Sequence, residues 1–330
     1  MSLPRHPGAA STAPPEDSGF AHEALLYAGS EQFVTATARF VREGLDGGEA
    51  VRVAVIEPRA SLLREELGPD AAEVEFLDMA GVGRNPARII PVWQEWVERN
   101  TAAGRAFRGI GEPIWAARTR TEIVECQLHE RLLNTAFDHG PAWSLLCPYD
   151  VRALPPDVIE RAGRSHPAML AAQGGRQPSA AYPHEGPGAE ELFGAPLPEA
   201  GSALCELWFD IDDLSRLRAT VRRNAPALRL DPRRLQEFVL VASELAANSI
   251  CYGGGKGRLR LWREGPHAVC EVHDEGLITD PLVGRRRPNP RERIGGAGLW
   301  TANQLCDLLL IRSAEERGTT VRAYMGNGSR

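Results

Sequence analysis

The sequence predicts two units of different architecture: an α/β domain with a largely parallel sheet first, and an α+β unit of helices on a mixed sheet second. Three observations predict it. Strand-like and helix-like patterns alternate from residue 24 to residue 147; a Gly/Pro-rich run fills residues 171–200; beyond it, paired strands joined by tight turns replace single strands.

In the first half, residues 24–27 form a short apolar run after His22, and residues 31–43 carry Phe33, Val34, Ala36, Phe40 and Val41 at helical spacing up to Gly44. Residues 50–56 are β-branched and almost continuously apolar, the pattern of a strand buried on both faces. A short helix at 61–67, a strand at 74–77 and a helix at 86–100 follow, the last turning Ile89, Ile90, Trp93 and Val97 inward. Strands at 107–110 and 144–147 flank a helix at 118–137. Residues 1–18, rich in Pro, Ala and Ser, read as a disordered leader, so the expected division is 19–170, a linker at 171–200 and a second domain at 201–330.

The second half opens with an alternating strand at 205–211 and a helix at 214–224. Asp231-Pro232 then caps and starts a long helix that the glycines at 253–255 end. Two strands at 258–263 and 268–273 turn through Gly265-Pro266; a polar stretch, a helix at 301–306 and a hairpin at 308–313 and 319–324 complete the chain.

Bulk properties narrow the function. A net charge of -6 and a pI near 5.8 exclude a surface dominated by nucleic-acid binding, and no apolar run is long enough to cross a bilayer. The six cysteines show neither Cys-x-x-Cys spacing nor a neighbouring His cluster, so reduced thiols in a cytoplasmic protein are expected, and a zinc site is not.

Chemistry concentrates on the long helix. Glu244 and Asn248 stand four residues apart, on one helical face, where a carboxylate can take a proton and an amide oxygen can ligate Mg2+. Alone the pair is an ordinary solvated face, and each later piece is also common by chance. The order is restrictive: Asp274 and Gly276 at a strand end, Gly295, Gly296 and Gly298 opening a helix whose free N–H groups suit phosphate, then Thr319 in a closing strand.

These residues resemble the GHKL (Bergerat) ATPases, and most closely the RsbW-type anti-sigma factor serine kinases, over residues 204–325. The resemblance implies ATP and Mg2+ as cofactors, with Glu244 as general base and Asn248 as metal ligand. It further implies Asp274 and Gly276 at the adenine, Arg293, Gly295, Gly296, Gly298 and Leu299 near the phosphates, and Thr319 supporting the adenine contact. It also implies a sigma factor and a STAS-domain anti-anti-sigma protein as partners, the second being phosphorylated, in a homodimeric assembly. Two departures stand out: Ile278 occupies the place of a usual second glycine, and Gly295 displaces the expected lid arginine, leaving Arg293. A nucleotide-dependent binding switch without transfer is the alternative. An autophosphorylating histidine kinase is disfavoured, since the interval before the ATPase motifs is a linker and His166 precedes Pro167.

The first half resembles the MEDS sensory domain, similar to a RecA/KaiC-like sheet without its P-loop. His22 with Leu25-Leu26-Tyr27, residues 44–49, Gly111 to Trp115, Leu146 to Asp150 and His166-Pro167 carry the resemblance. No Gly-x-x-x-x-Gly-Lys-Ser/Thr follows any strand, so phosphates lack their lysine. By analogy with open α/β sheets, His22, Glu112, Tyr149 and Asp150 are expected to converge on a small-molecule ligand at the carboxyl edge. The same residues also suit a strand cap, a turn and core packing.

Overall fold

The computed structural model describes residues 19–183, 189–288 and 297–327. In chain order the first unit runs β1 Phe20–Tyr27, α1 Ser30–Asp46, β2 Ala50–Val55, α2 Glu57–Leu67, β3 Val74–Asp78, α3 Met79–Val82, α4 Ile89–Ala102, β4 Phe107–Gly111, α5 Arg120–Phe137, β5 Trp143–Asp150, α6 Pro156–Ser165, β6 Ala168–Ala171 and β7 Arg176–Pro178. Its seven-stranded sheet has the order β3-β2-β4-β5-β1-β6-β7. All neighbours are parallel except β6 and β7. β2 is buried from Val51 onward, as expected of a strand covered by helices on both faces.

Local departures from the sequence pattern have physical causes. Gly44 does not stop α1, which runs on to Asp46; it is a contact glycine, since a Cβ there would lie 2.7 Å from the Arg108 side chain. Residues 171–178, read as linker from their Gly-Gly composition, form the β6–β7 hairpin instead, with Gly174 and Gly175 supplying the positive φ of its turn. α6, with Val158 and Ala162 buried, is not signalled by the sequence pattern because it is short and opens on Pro155-Pro156, a pair that also marks turns.

The second unit consists of α7 Ala189–Phe193, β8 Cys205–Asp210, α8 Leu214–Arg223, α9 Ala225–Leu228, α10 Pro232–Tyr252, β9 Lys256–Glu264, β10 His267–Asp274, α11 Ala297–Leu305, β11 Leu308–Ala314 and β12 Gly318–Met325. The strands form a five-stranded antiparallel sheet, β11-β12-β10-β9-β8. α10 lies on it, burying Phe238, Val241, Ala242, Leu245 and Ala246, while α8 adds Leu217 and Val221 to the same core. Asp231 caps α10 by accepting from the Arg234 N–H, with Pro232 at the first turn.

The two units share an interface. Arg88, in a 3-10 turn at Pro86–Arg88, donates to the carbonyls of Asn303 and Cys306 at the end of α11, at 2.9 and 2.6 Å. Asn85 donates to the Asn303 carbonyl and side-chain oxygen, both at 3.1 Å. Glu125 on α5 accepts from Arg312 at 2.7 Å and lies 3.5 Å from Arg285, with Glu125 and Arg285 almost fully buried. Among the described residues no helix is long and apolar enough to cross a membrane.

Candidate functional site

The site grows from the C-terminal half of α10 and the end of β10. Helical spacing places Glu244 and Asn248 on one face, toward the N-terminal end of α11. The contact is close: a methyl group built on Gly298 would meet Glu244 Oε2 at 2.8 Å and the Asn248 amide at 3.0 and 3.1 Å. Only glycine lets α11 approach this far.

Asp274 ends β10, opposite Thr319 of β12. Its carboxylate is held on both sides, accepting from Ser249 Oγ at 2.5 Å and from the Gly276 N–H at 2.9 Å. Thr319 donates to the Gly276 carbonyl at 2.8 Å and pairs with Ser313 Oγ at 2.7 Å, and Ser313 accepts from the Ile278 N–H at 2.9 Å. The chain around Asp274 is thereby fixed, while the remaining lone pairs of the carboxylate stay available to a ligand amine.

Between these walls lies a cavity of ≈ 340 Å3, lined by Leu245, Asn248, Val272, Asp274, Ile278 and Leu299 among others. That volume suits a small cofactor, and an apolar slot with a few fixed polar groups is the usual form of such a site. Asn248 Nδ2 is buried with no hydrogen-bond partner among the described residues, so the amide has capacity for a ligand.

Of the expected ATP-site residues, the fold therefore brings together Glu244, Asn248, Asp274, Gly276, Gly298, Leu299 and Thr319. Arg293, Gly295 and Gly296 lie outside the described residues. Ser249 and Ser313 were missed. Ser249 adjoins Asn248 in sequence, but its role depends on β10 ending beside α10, which no local pattern states.

The expected sensor set does not form one cluster. β1 begins at Phe20, so His22 sits inside the strand and points into the layer between the sheet and α5, where Glu130 lies 3.0 Å away. Tyr149 joins this interior, its ring edge-on to His166 at 5.6 Å. Glu112 and Asp150 do reach the carboxyl edge, where Arg59 contacts Glu112 and approaches Asp150 to 3.6 Å. Tyr27 donates to Glu112 at 2.9 Å, and burial raises its phenol above the ordinary range. The α/β sheet thus splits the expected set into an interior half and an edge half.

Two family models match the chain, one in each unit. Residues 21–167 match the family model described as MEDS, the methanogen/methylotroph, DcmR sensory domain. Residues 207–325 match the histidine kinase-like ATPase domain. The chain is a MEDS domain followed by a histidine kinase-like ATPase domain of the kind typical of RsbW-like anti-sigma kinases. No curated protein matches the chain. Such an ATPase domain implies ATP binding, usually with Mg2+, a MEDS domain implies a small-molecule ligand, and the pair fits a regulatory ATPase or kinase.

The residues present fit the nucleotide. Gly298 leaves room at the start of α11, and the unpartnered Asn248 amide faces the cavity. Asp274→Asn is expected to weaken nucleotide binding roughly tenfold or more, because an amide offers one acceptor oxygen where Ser249 and Gly276 already take two. Calorimetric titration with ATP checks this; unchanged affinity would remove Asp274 from the binding site.

Proposed function

We propose that the protein is a cytoplasmic anti-sigma regulatory factor that phosphorylates a serine or threonine of a STAS-domain anti-anti-sigma partner, under control of its ligand-sensing domain. The observation that carries this reading is the packing of Gly298 against Glu244 and Asn248 beside the cavity that Asp274 closes. In this reading Asp274 accepts from the adenine amine, with Gly276 and Thr319 fixing that wall. Asn248 ligates Mg2+, and Gly298 and Leu299 border the phosphates at the positive end of α11. ATP supplies the phosphoryl group. Glu244 takes the proton of the attacking hydroxyl, the role a serine kinase needs because an alcohol must lose its proton as it is phosphorylated.

Other features support the wider reading. β1 passes to α1 through Ala28 and Gly29 alone, too short a link to wrap a phosphate, in keeping with a RecA/KaiC-like sheet that has turned from nucleotide to sensing. Arg88 and Asn85 hold the far end of the helix whose near end meets Glu244, giving the sensory domain a grip on the ATP site.

Incubating the full chain with γ-labelled ATP, Mg2+ and STAS-domain candidates tests the proposal, with label on a serine or threonine of one partner as the expected result. ATP binding with no label on any partner would instead support a nucleotide-dependent binding switch. Ile278 favours that second reading, since it lines the cavity where related ATPases usually have glycine. Gly298→Ala separates fold from chemistry: its Cβ meets the flexible ends of Glu244 and Asn248, so the melting temperature should hold within a few degrees while transfer falls at least tenfold.

A further inference from the structure

The interior of the sensory domain holds four potential metal ligands that sequence spacing did not bring together. The parallel register of β1 and β5, with Ala24 opposite Cys147, sets His22 and Cys147 on the same face of neighbouring strands. His166 follows α6 in extended backbone, immediately before β6 on the other side of β1. α5 covers the three and contributes Glu130. The ligand atoms of His22, Glu130, Cys147 and His166 all lie within 4.8 Å of one another, and each residue is buried, with exposure no higher than 1%.

The hydrogen bonds define what the imidazoles present. Asn134 Nδ2 donates to the Ser165 carbonyl at 2.7 Å, which turns its Oδ1 toward His22 and makes His22 Nδ1 the donor, at 3.1 Å. His166 Nδ1 donates to the Ala162 carbonyl at 2.8 Å. Both rings therefore direct Nε2 inward, 3.0 and 3.2 Å from Glu130 Oε2. In the neutral rings these are two lone pairs facing a carboxylate, with Cys147 Sγ 3.3 Å from His22 Nε2. His166 Nε2 and Glu130 Oε1 have no hydrogen-bond partner among the described residues.

Lone pairs converging in a buried space need positive charge between them. Protonating one ring gives a neutral pair with Glu130 but leaves the other Nε2 lone pair facing the same carboxylate oxygen, and protonating both leaves a net positive charge. A divalent cation with the Cys147 thiolate and the Glu130 carboxylate gives neutrality. The backbone and side-chain acceptors on both Nδ1 atoms are the outer partners that orient metal-binding histidines. Tetrahedral ligands about 2.0–2.3 Å from a metal stand roughly 3.3–3.8 Å from each other. The present spacing needs only small side-chain movements to reach that.

We propose that His22, Glu130, Cys147 and His166 form a closed, four-coordinate site for one divalent transition-metal ion of the Zn2+ class. The donor set of two imidazoles, a carboxylate and a thiolate suits Zn2+ and excludes Mg2+ and Ca2+, which take oxygen ligands. Binding releases the Cys147 proton to solvent and leaves the metal's oxidation state unchanged. With every donor buried, the role is to fix β1, β5, α5 and α6 around one centre.

The test uses the full chain, unfolded with a chelator and refolded with Zn2+ or Co2+. The expected result is about one tightly held metal per folded chain by elemental analysis, and for Co2+ a thiolate-to-cobalt charge-transfer band. Cys147→Ser should abolish that band, while Cys251→Ser, at an exposed thiol outside the cluster, should leave it. Asn134→Ala should weaken Co2+ binding roughly 10- to 100-fold through loss of the His22 orienting partner. Should a variant fail to fold, the refolded natural chain still decides. Folded protein without stoichiometric metal, or a charge-transfer band that survives Cys147→Ser, would overturn the site. Neither readout depends on ATP, so its failure is distinct from failure of the kinase proposal.

Discussion

Glu244→Gln is expected to lower phosphoryl transfer to the partner protein by roughly 100- to 10,000-fold, the usual contribution of a positioned general base. ATP affinity should stay within about threefold, because glutamine keeps the shape and only the proton-accepting charge is lost. The substitution is nearly isosteric at a position packed against Gly298, so the fold should be unaffected. The measurement is single-turnover transfer from labelled ATP, alongside an equilibrium binding titration. Full transfer by the variant would remove Glu244 as base, and a parallel collapse of binding would make it a structural member of the site.

The second large effect is expected at Glu125, remote from the ATP cavity. Its carboxylate serves Arg312 and Arg285 together. Arg285 has two buried guanidinium nitrogens with no other partner among the described residues. Removing the carboxylate leaves two cations facing each other out of water, a situation that costs about 3–5 kcal/mol. Glu125→Ala should therefore lower the melting temperature by roughly 10 °C. Glu125→Gln, which keeps one acceptor for Arg312, should lose less. A shift below about 2 °C would mean that water reaches the arginines and relieves them.

Much of this architecture was legible because it is written locally. The 3.6-residue period of α10, its Asp-Pro start, the β-branched run of β2 and the tight turn before β10 all act over a few residues, and each formed within a few positions of its expected limits. Glu244 and Asn248 were readable for the same reason, being fixed by one helix. Features that depend on how distant elements meet were not readable. Ser249 reaching Asp274, Glu125 bridging to Arg285 and Arg312, and His22 meeting Cys147 and His166 follow from strand register and helix packing. Cysteine spacing argued against a zinc-type cluster because spacing describes only sites built from a single loop. The carboxyl-edge expectation for His22 failed because the residue lies near the amino-terminal end of β1, on its inward face, and the carboxyl edge is reached only at Tyr27, opposite Asp150.

The grip of Arg88 and Asn85 on the end of α11 bears on how such a chain can evolve. Regulators are often assembled by recombining ready-made modules, and a flexible tether leaves each module free to be exchanged. Here the sensory half caps a helix of its neighbour and neutralises two of its arginines. A swapped front half would arrive without those partners, so the two halves are constrained to drift as a matched pair, and grafts should succeed only when Asn85, Arg88 and Glu125 travel together.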